Sequence, residues 1–522
     1  MAPTHVSRIP FTQCRSILRR DFSSTYRRCR SAELSRPPTA PKPVPDVKLI
    51  REHADLFARN CVNRNYASHE EYPHRIKELY AETKRLEEAL LDPRRKIKEL
   101  EKEIGRVAGN RESNADEKKQ KLDELRKEAQ NLKKKSQDTL LRKESLDSEI
   151  QKLALSLPNL TSPEAPVGDE PRVVGYINYD PEESTTWLKN KQPYRSHVEI
   201  GTKLELLDFT SSATSTGWGW YFLINEGALL EQALIQYSLN VALKRGFKAV
   251  APPSIVYSYI QEACGYQPRD QNNEQQIWHI EQSEKDKARP QRSLAGTAEI
   301  PLAAMYAGRD IDDSLLPLKF VGTSRCYRAE AGARGVDTKG LYRVHEFTKV
   351  ELFGWSNNPR SDTPDPLFEN CTPLNELFNE LGEIQVEILT ALNLPCRILE
   401  MPTGDLGASA TRKRDIEALF PSRLRAIESE SGNNGYDLET GWGEVTSASI
   451  CTDYQSRRLG TRIRTSQGEK SRYPLTVNGT AVAVPRVLAA ILENGWDEER
   501  QVVVIPEVLR QWMGGIETIG KK

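Results

Sequence analysis

Cysteine is scarce and scattered in this 522-residue chain. The eight are Cys14, Cys29, Cys61, Cys264, Cys326, Cys371, Cys396 and Cys451, none in a Cys-x-x-Cys pair and none beside a histidine cluster. That pattern argues against a disulfide framework and against a structural zinc site, so no zinc is expected. No apolar run reaches the about 18 residues of a membrane span, so no membrane partner is expected. Charge of one sign is lacking too: 74 Lys and Arg balance 74 Asp and Glu. Any nucleic-acid binding must therefore use local patches. The chain is too long for one ordinary domain, so two or three are expected.

The first 45 residues are poor in acids. Arg8, Arg15, Arg19, Arg20, Arg27, Arg28, Arg30 and Arg36 alternate with Ser, Thr and scattered apolar residues, against Asp21 and Glu33 alone. Arg- and Ser-rich, acid-poor sequence has the character of an organelle transit peptide, or else of a basic tail. The Pro-rich stretch Ser35 to Pro45 reads as a linker.

From Pro73 to Leu157 apolar or small residues recur at three-to-four spacing. One series is Ile76, Leu79, Thr83, Leu86, Leu90, Ile97, Leu100, Ile104 and Val107; the other includes Leu122, Leu125, Ala129, Leu132, Leu146, Ile150, Leu153 and Leu157. Two such helices around the turn-like Gly105 to Asp116 predict an antiparallel coiled coil. Pro93 is expected to kink or restart the first helix, with Asp92 as its cap. Basic patches such as Lys133 to Lys135 alternate with acids. They suit a solvated helix face, a surface that tracks a phosphate backbone, or a dimer contact, and spacing does not choose among these. Leu157 to Arg172 breaks the periodicity and marks a boundary. The expected division is 1–45, 46–170 and 171–522.

The last part alternates strand and helix signals. Ala228 to Arg245 reads as an amphipathic helix stopped by Gly246, followed by a short strand into Pro252 and Pro253. Thr297 and Glu299 precede a helical run and suit either a cap or the holding of an ammonium group and a small hydroxyl. The densest chemistry lies between Lys319 and Trp355. Two strand-like runs flank a loop; Arg328 and Glu330 close the first, and the second alternates Arg343, His345, Phe347, Lys349 and Glu351 along one face. Such a face is either the solvated side of a hairpin or a seat for a nucleotide. Arginine forks onto phosphate, a ring stacks on a base, and a carboxylate holds an ammonium group. Further on, Glu444, Val445, Thr446 and Ser447 put a carboxylate beside hydroxyls, which suits a phosphate-bound Mg²⁺. Asn478-Gly479 reads as a tight turn before a helix, Ala481 to Leu492, in which Arg486 sits among apolar neighbours.

Jointly these strings, Thr-Ala-Glu at 297–299, Arg-x-Glu at 328–330 with Arg-Val-His-Glu-Phe-Thr-Lys-Val-Glu at 343–351, Glu-Val-Thr-Ser at 444–447, and Val-Asn-Gly-Thr at 477–480 with Arg486, resemble the seryl-tRNA synthetases of class II over roughly residues 50 to 515. The resemblance implies an α+β fold: an antiparallel sheet with flanking helices, preceded by an antiparallel helical coiled-coil arm. It implies a homodimeric, ATP-dependent ligase that forms seryl-adenylate and passes the seryl group to tRNA(Ser), gripped by the arm. Arg328 and Arg486 then match the catalytic arginines on the phosphates. Glu330, Arg343, Phe347, Val445 and Thr446 join them in the ATP site, and Glu444 and Ser447 hold Mg²⁺. Thr297, Glu299, Arg328, Glu351, Asn478 and Thr480 line the serine site, with Glu351 suited to the ammonium group and Asn478 and Thr480 to the hydroxyl. With the transit-like N-terminus the resemblance implies a mitochondrial matrix form.

The chain departs from the family pattern at Thr446 to Ile450, at Asn225-Glu226 and at Pro485. Two other functions fit the same sequence: a degenerate paralogue that binds tRNA without activating serine, and a coiled-coil scaffold with an unrelated α/β domain.

Overall fold

The computed structural model describes residues 36–109, 115–183, 194–266, 276–329, 340–358, 371–427, 435–464 and 472–521. The transit-like residues 1–35, Glu330, and the stretches 359–370 and 428–434 lie outside the described residues.

Two short helices, α1 (Val47–Glu52) and α2 (Ala54–Asn63), lead into α3 (Tyr72–Gly109) and α4 (Ala115–Ser156). At about 1.5 Å per residue the last two are each roughly 60 Å long. They pair antiparallel along the expected seam: Ile76, Leu79, Leu90, Leu100, Leu146 and Ile150 are buried. Helix α3 runs unbroken through Pro93, so the expected restart capped by Asp92 does not occur. The lost backbone bond and ring clash cost about 3 kcal/mol, and pairing along the whole length of α4 offsets them.

The root of the arm is fastened to the rest of the chain by buried polar groups. Arg64, fully buried, donates to the carbonyls of Asn159 and Gly407. The Asn159 amide donates to the carbonyls of Ser409 and Cys451 at 2.9 and 3.0 Å and to Thr452 Oγ1 at 2.9 Å. Residues 36–45, expected as a free linker, instead lie along the same surface. Arg36 stacks over Tyr259 at 4.9 Å, Pro41 packs near Gly308, and the Val44 N–H donates to the Arg457 carbonyl at 3.0 Å. Proline-rich backbone has few donors to satisfy, so it can dock without sheet or helix partners.

An eight-stranded sheet organises the remainder. Its strands are β1 (Arg172–Ile177), β2 (Lys248–Val250), β3 (Leu318–Tyr327), β4 (Glu346–Ser356), β5 (Cys396–Glu400), β6 (Arg412–Leu419), β7 (Trp442–Thr452) and β8 (Leu475–Ala483), in the order β1-β5-β6-β7-β8-β4-β3-β2. All neighbours are antiparallel except the edge pair β2 and β3. Helices α5 (Asn225–Lys244), α7 (Thr372–Ala391) and α9 (Val484–Asn494) share one hydrophobic cluster with its strands. Two shorter helices, α6 (Glu299–Ala303) and α8 (Tyr454–Leu459), sit against a second cluster that includes Phe320, Phe353 and Trp355. Among the described residues no helix is long and apolar enough to cross a membrane.

Two local expectations fail for reasons of packing. Asn478-Gly479 is no turn: both residues lie inside β8, opposite Phe353 and Leu352 of β4. A Cβ at Gly479 would come within 3.1 Å of the Leu381 side chain on α7, so glycine here allows a helix to lie close. The alternating run is irregular backbone from Arg343 to His345 and becomes strand only at Glu346. From Thr348 onward both of its faces are buried, as befits an inner strand.

Candidate active site

One cleft is bordered by Arg328, Arg343, Phe347, Glu444, Val445, Thr446, Thr480 and Arg486. Arg328 follows the end of β3, and its guanidinium lies 5.4 Å from the Phe347 ring on β4. The Arg328 backbone is clamped from both sides. Its N–H donates to the His345 carbonyl at 2.9 Å, and His345 Nδ1 donates to its carbonyl at 3.0 Å. Arg328 Nε is buried with no hydrogen-bond partner among the described residues. A half-buried guanidinium with an orphan donor needs an anionic partner.

Arg486 enters from the first turn of α9. Its Nε donates to the Tyr342 carbonyl at 3.2 Å, its Nη1 reaches the Glu444 carbonyl and side chain at 3.2 Å each, and its plane stacks on the Tyr342 ring at 4.6 Å. Burial pushes the Glu444 carboxyl up, but Arg486, Lys413 and Arg328 outweigh it and hold the group down at about 2. The cleft thus carries two aimed arginines and one firmly ionised carboxylate.

A bulge gives Glu444 that position. Between β6 and β7 the register steps from Ile416 opposite Thr446 to Glu417 opposite Glu444, leaving Val445 unpaired in the ladder. The extra residue resets the alternation. The Thr446 hydroxyl therefore turns to α7, where Gln385 donates to it at 3.0 Å, so its main chain rather than its hydroxyl faces the cleft. Ser447 lies opposite Asp415 and shares a hydrogen bond with it. Burial lifts Asp415 to about 6 despite Lys413 at 2.6 Å, and its Oδ1 lacks a hydrogen-bond partner of good geometry among the described residues.

Beside the cleft lies a cluster of buried polar side chains. Glu351 on β4 is 1 % exposed, pairs with Lys349 at 2.6 Å, and accepts from the Thr480 hydroxyl on β8 at 3.4 Å. Glu299 opens α6 and is also buried; its N–H donates to the Thr297 hydroxyl at 3.3 Å. Burial, with Glu351 adding to it, raises the Glu299 carboxyl to about 7. The side chain that hydrogen-bonds it is neutral: Gln455 Nε2 donates at 2.6 Å. Asn478 lies between Thr476 and Thr480 on the same face of β8, its Oδ1 accepting from the Cys451 thiol at 3.4 Å. A wider groove at the far end of α9 is rimmed by Asp497, Glu498 and Glu499, which suits no phosphate.

The comparisons with known proteins converge. Residues 280–495 match the tRNA synthetase class II core domain (G, H, P, S and T), and residues 44–161 match the seryl-tRNA synthetase N-terminal domain. The chain is 36 % identical over 479 residues to a mitochondrial serine–tRNA ligase of Saccharomyces cerevisiae, across 91 % of this chain and 95 % of that one. The chain belongs to the seryl-tRNA synthetase family. A second member, a mitochondrial serine–tRNA ligase of Mus musculus, is 37 % identical over 430 residues, covering 81 % of this chain and 75 % of its own. A crystal structure of the seryl-tRNA synthetase from Pyrococcus horikoshii complexed with ATP superposes with a TM-score of 0.75 at 29 % identity, across 91 % of this chain and 99 % of that one. The molecule is a class II aminoacyl-tRNA synthetase with an α+β fold, as its motifs imply.

Every candidate site residue named from the sequence, apart from Glu330 outside the described residues, lies in or beside this cleft and the buried polar cluster next to it. Sequence reasoning missed Tyr342, Lys413, Asp415 and Gln455. Asp415 had a signal, since it alternates with Lys413 and Glu417 along one strand. Gln455 had none: a lone glutamine after a strand carries no pattern.

Proposed function

We propose that this family member activates L-serine with ATP to seryl-adenylate and pyrophosphate, and then transfers the seryl group to the 3′ end of tRNA(Ser). The observation that carries this reading is that the arginine-lined cleft, which Lys349 and Thr480 also border, adjoins the buried carboxylates Glu351 and Glu299 with their hydroxyl neighbours. A serine carboxylate oxygen attacks the α-phosphorus and the bond to the bridging oxygen breaks. Arg328, with its orphan donor, is the α-phosphate and carboxylate ligand, Phe347 the platform for adenine, and Arg343 and Arg486 the ligands of the outer phosphates. Fixed cations neutralise the transition state without reorganising. A ribose hydroxyl of the tRNA then attacks the carbonyl carbon and AMP leaves.

The pocket supports a division of labour for serine. Glu351 already has Lys349, whereas Glu299 is held by a neutral amide, so Glu299 is the stronger candidate for the ammonium group. That shifts onto Glu299 the role first expected of Glu351, leaving Glu351, Thr480 and Asn478 to the side-chain hydroxyl. A buried partner for a hydroxyl rejects alanine strongly, because the pocket groups would otherwise stay unpaired.

Mg²⁺ fits the donor set: the ionised Glu444, the Ser447 hydroxyl on the same side, and Asp415 with its orphan oxygen nearby are hard oxygen donors. Glu444 and Ser447 would hold the ion, and it would draw charge from the phosphates of ATP. The exposed Leu229 and Leu243 on α5 support a homodimer through that helix. The Lys and Arg residues of α3 and α4 support an arm, residues 46–170, that grips tRNA by shape and phosphate. The Arg-rich N-terminus and the mitochondrial relatives support the mitochondrial matrix.

Serine-dependent ATP–pyrophosphate exchange, with alanine and threonine as controls, tests the proposal. Exchange with serine alone is expected. Folded protein that exchanges with no amino acid would establish the degenerate paralogue instead.

A further inference from the structure

We infer that Gln455 is a positioning residue for amino-acid binding: its amide orients the buried Glu299 carboxylate and presents it to the substrate ammonium group. The inference rests on the seryl-activation reading and deepens it.

Gln455 lies in the first turn of α8, directly after β7, and is fully buried. It borders the carboxylate pocket and does not line the nucleotide cleft. A carboxylate only accepts hydrogen bonds, so the amide nitrogen must face Glu299, at 2.6 Å. The amide oxygen faces the other way and accepts from the Thr476 hydroxyl at 2.8 Å. Thr476 therefore locks the amide in the orientation that donates to Glu299.

The chemistry of the partner matters. An apolar residue would leave a buried carboxylate oxygen unpaired. A lysine or arginine would pair with Glu299 and compete with the incoming ammonium group. A neutral donor satisfies one oxygen and leaves the negative charge for the ligand. The other charged and titratable groups facing Glu299 come from β4 (Glu351 and Lys349), the end of β3 (Arg328), β7 (Cys451) and the segment after residues 258–263 (Cys264 and Tyr266). Burial and Glu351 oppose ionisation of Glu299; Lys349, paired with Glu351, favours it through space, and the Gln455 amide is the group that favours it by a direct hydrogen bond.

Helix α8 is rigidly held, which a positioning role needs. Arg457 pairs with Asp46 at 2.7 Å and with Asp453 at 2.6 Å, and Arg458 donates to the Leu155 carbonyl at 3.1 Å. The root of the arm thus braces the helix from behind.

Gln455→Met keeps the length of the side chain and removes both polar ends. In pyrophosphate exchange the KM for serine should rise about 10-fold, the loss of one hydrogen bond to a charged group. The KM for ATP should stay at its wild-type value, and the acid limb of kcat/KM for serine should move to higher pH. Thr476→Val unlocks the amide without removing it and should give a smaller change of the same kind; it decides the matter if Gln455→Met does not fold. A wild-type serine KM and an unmoved acid limb in these variants overturn the inference. So does an equal rise in both KM values, which marks a merely structural role. A wild-type protein without serine-dependent exchange sinks the activation reading itself, a result distinct from either.

Discussion

The arm and the catalytic pocket are built from the same charged residues with opposite consequences. Along α3 and α4, pairs such as Lys133–Glu101 and Arg142–Glu82 stand in water, with side chains about half exposed. Solvent screening leaves such pairs worth roughly 1 kcal/mol or less. In the pocket Lys349 and Glu351 are 8 % and 1 % exposed at nearly the same separation. There a charge without a partner is costly, so each group is committed to a neighbour or to a ligand. The arm's charges are free to be read by a partner from outside. The pocket's charges are fixed before the ligand arrives.

The largest effect expected follows from removing a committed cation. Arg328→Ala or Arg486→Ala should lower serine-dependent exchange by about 100-fold or more while circular dichroism stays native. Near-normal rates from either variant would break the contrast at its strongest point. Next, the stability of the arm should reside in its apolar root. Leu79→Ala, at a fully buried position, should destabilise by about 2–5 kcal/mol in denaturant unfolding, with exchange kinetics of the folded protein unchanged.

A smaller effect sharpens the contrast through pH. The Glu299 carboxyl is raised from an ordinary 4.5 to about 7. Below about 7 it is neutral and loses its pull on ammonium, so kcat/KM for serine should fall there by about tenfold per pH unit. The apo fold has the matching dependence: this group's contribution is present below 4.5 and is lost as pH rises through about 7. Serine should therefore raise the melting temperature more at pH 8 than at pH 6, and equal shifts would contradict the assignment. The smallest effect belongs to the exposed arm. Lys133→Ala should change unfolding free energy by less than about 0.5 kcal/mol, yet weaken tRNA charging at low salt more than at high salt.

Much of this was legible because the relevant signals are local. The seam Ile76, Leu79, Leu146, Ile150 shows in a heptad count, Phe347 and Glu351 show in a strand period, and Arg328 shows in the Arg-x-Glu that closes the run before it. The failures share one cause. Asn478-Gly479 has the chemistry of a turn, but β4 and β7 flank it and α7 lies across it. Pro93 has the chemistry of a helix stop, but a partner helix runs past it. Residues 36–45 have the composition of a linker, but Gly308 and Gly460 leave room for Pro41. In each case a distant segment outweighs the local preference.

The sequence by itself determined the family, the paired arm helices and the residue types proposed to meet phosphate, base and ammonium, because each is written in short spacings that any chain must obey. Only the tertiary structure decided which carboxylate is paired with a cation and which with a neutral amide. It decided that a bulge at Val445 points Glu444 and Ser447 to one side, and that Gln455, more than 150 residues from Glu299, stands behind it. Those facts depend on dehydration and on contacts between segments far apart in the chain, which no local spacing encodes.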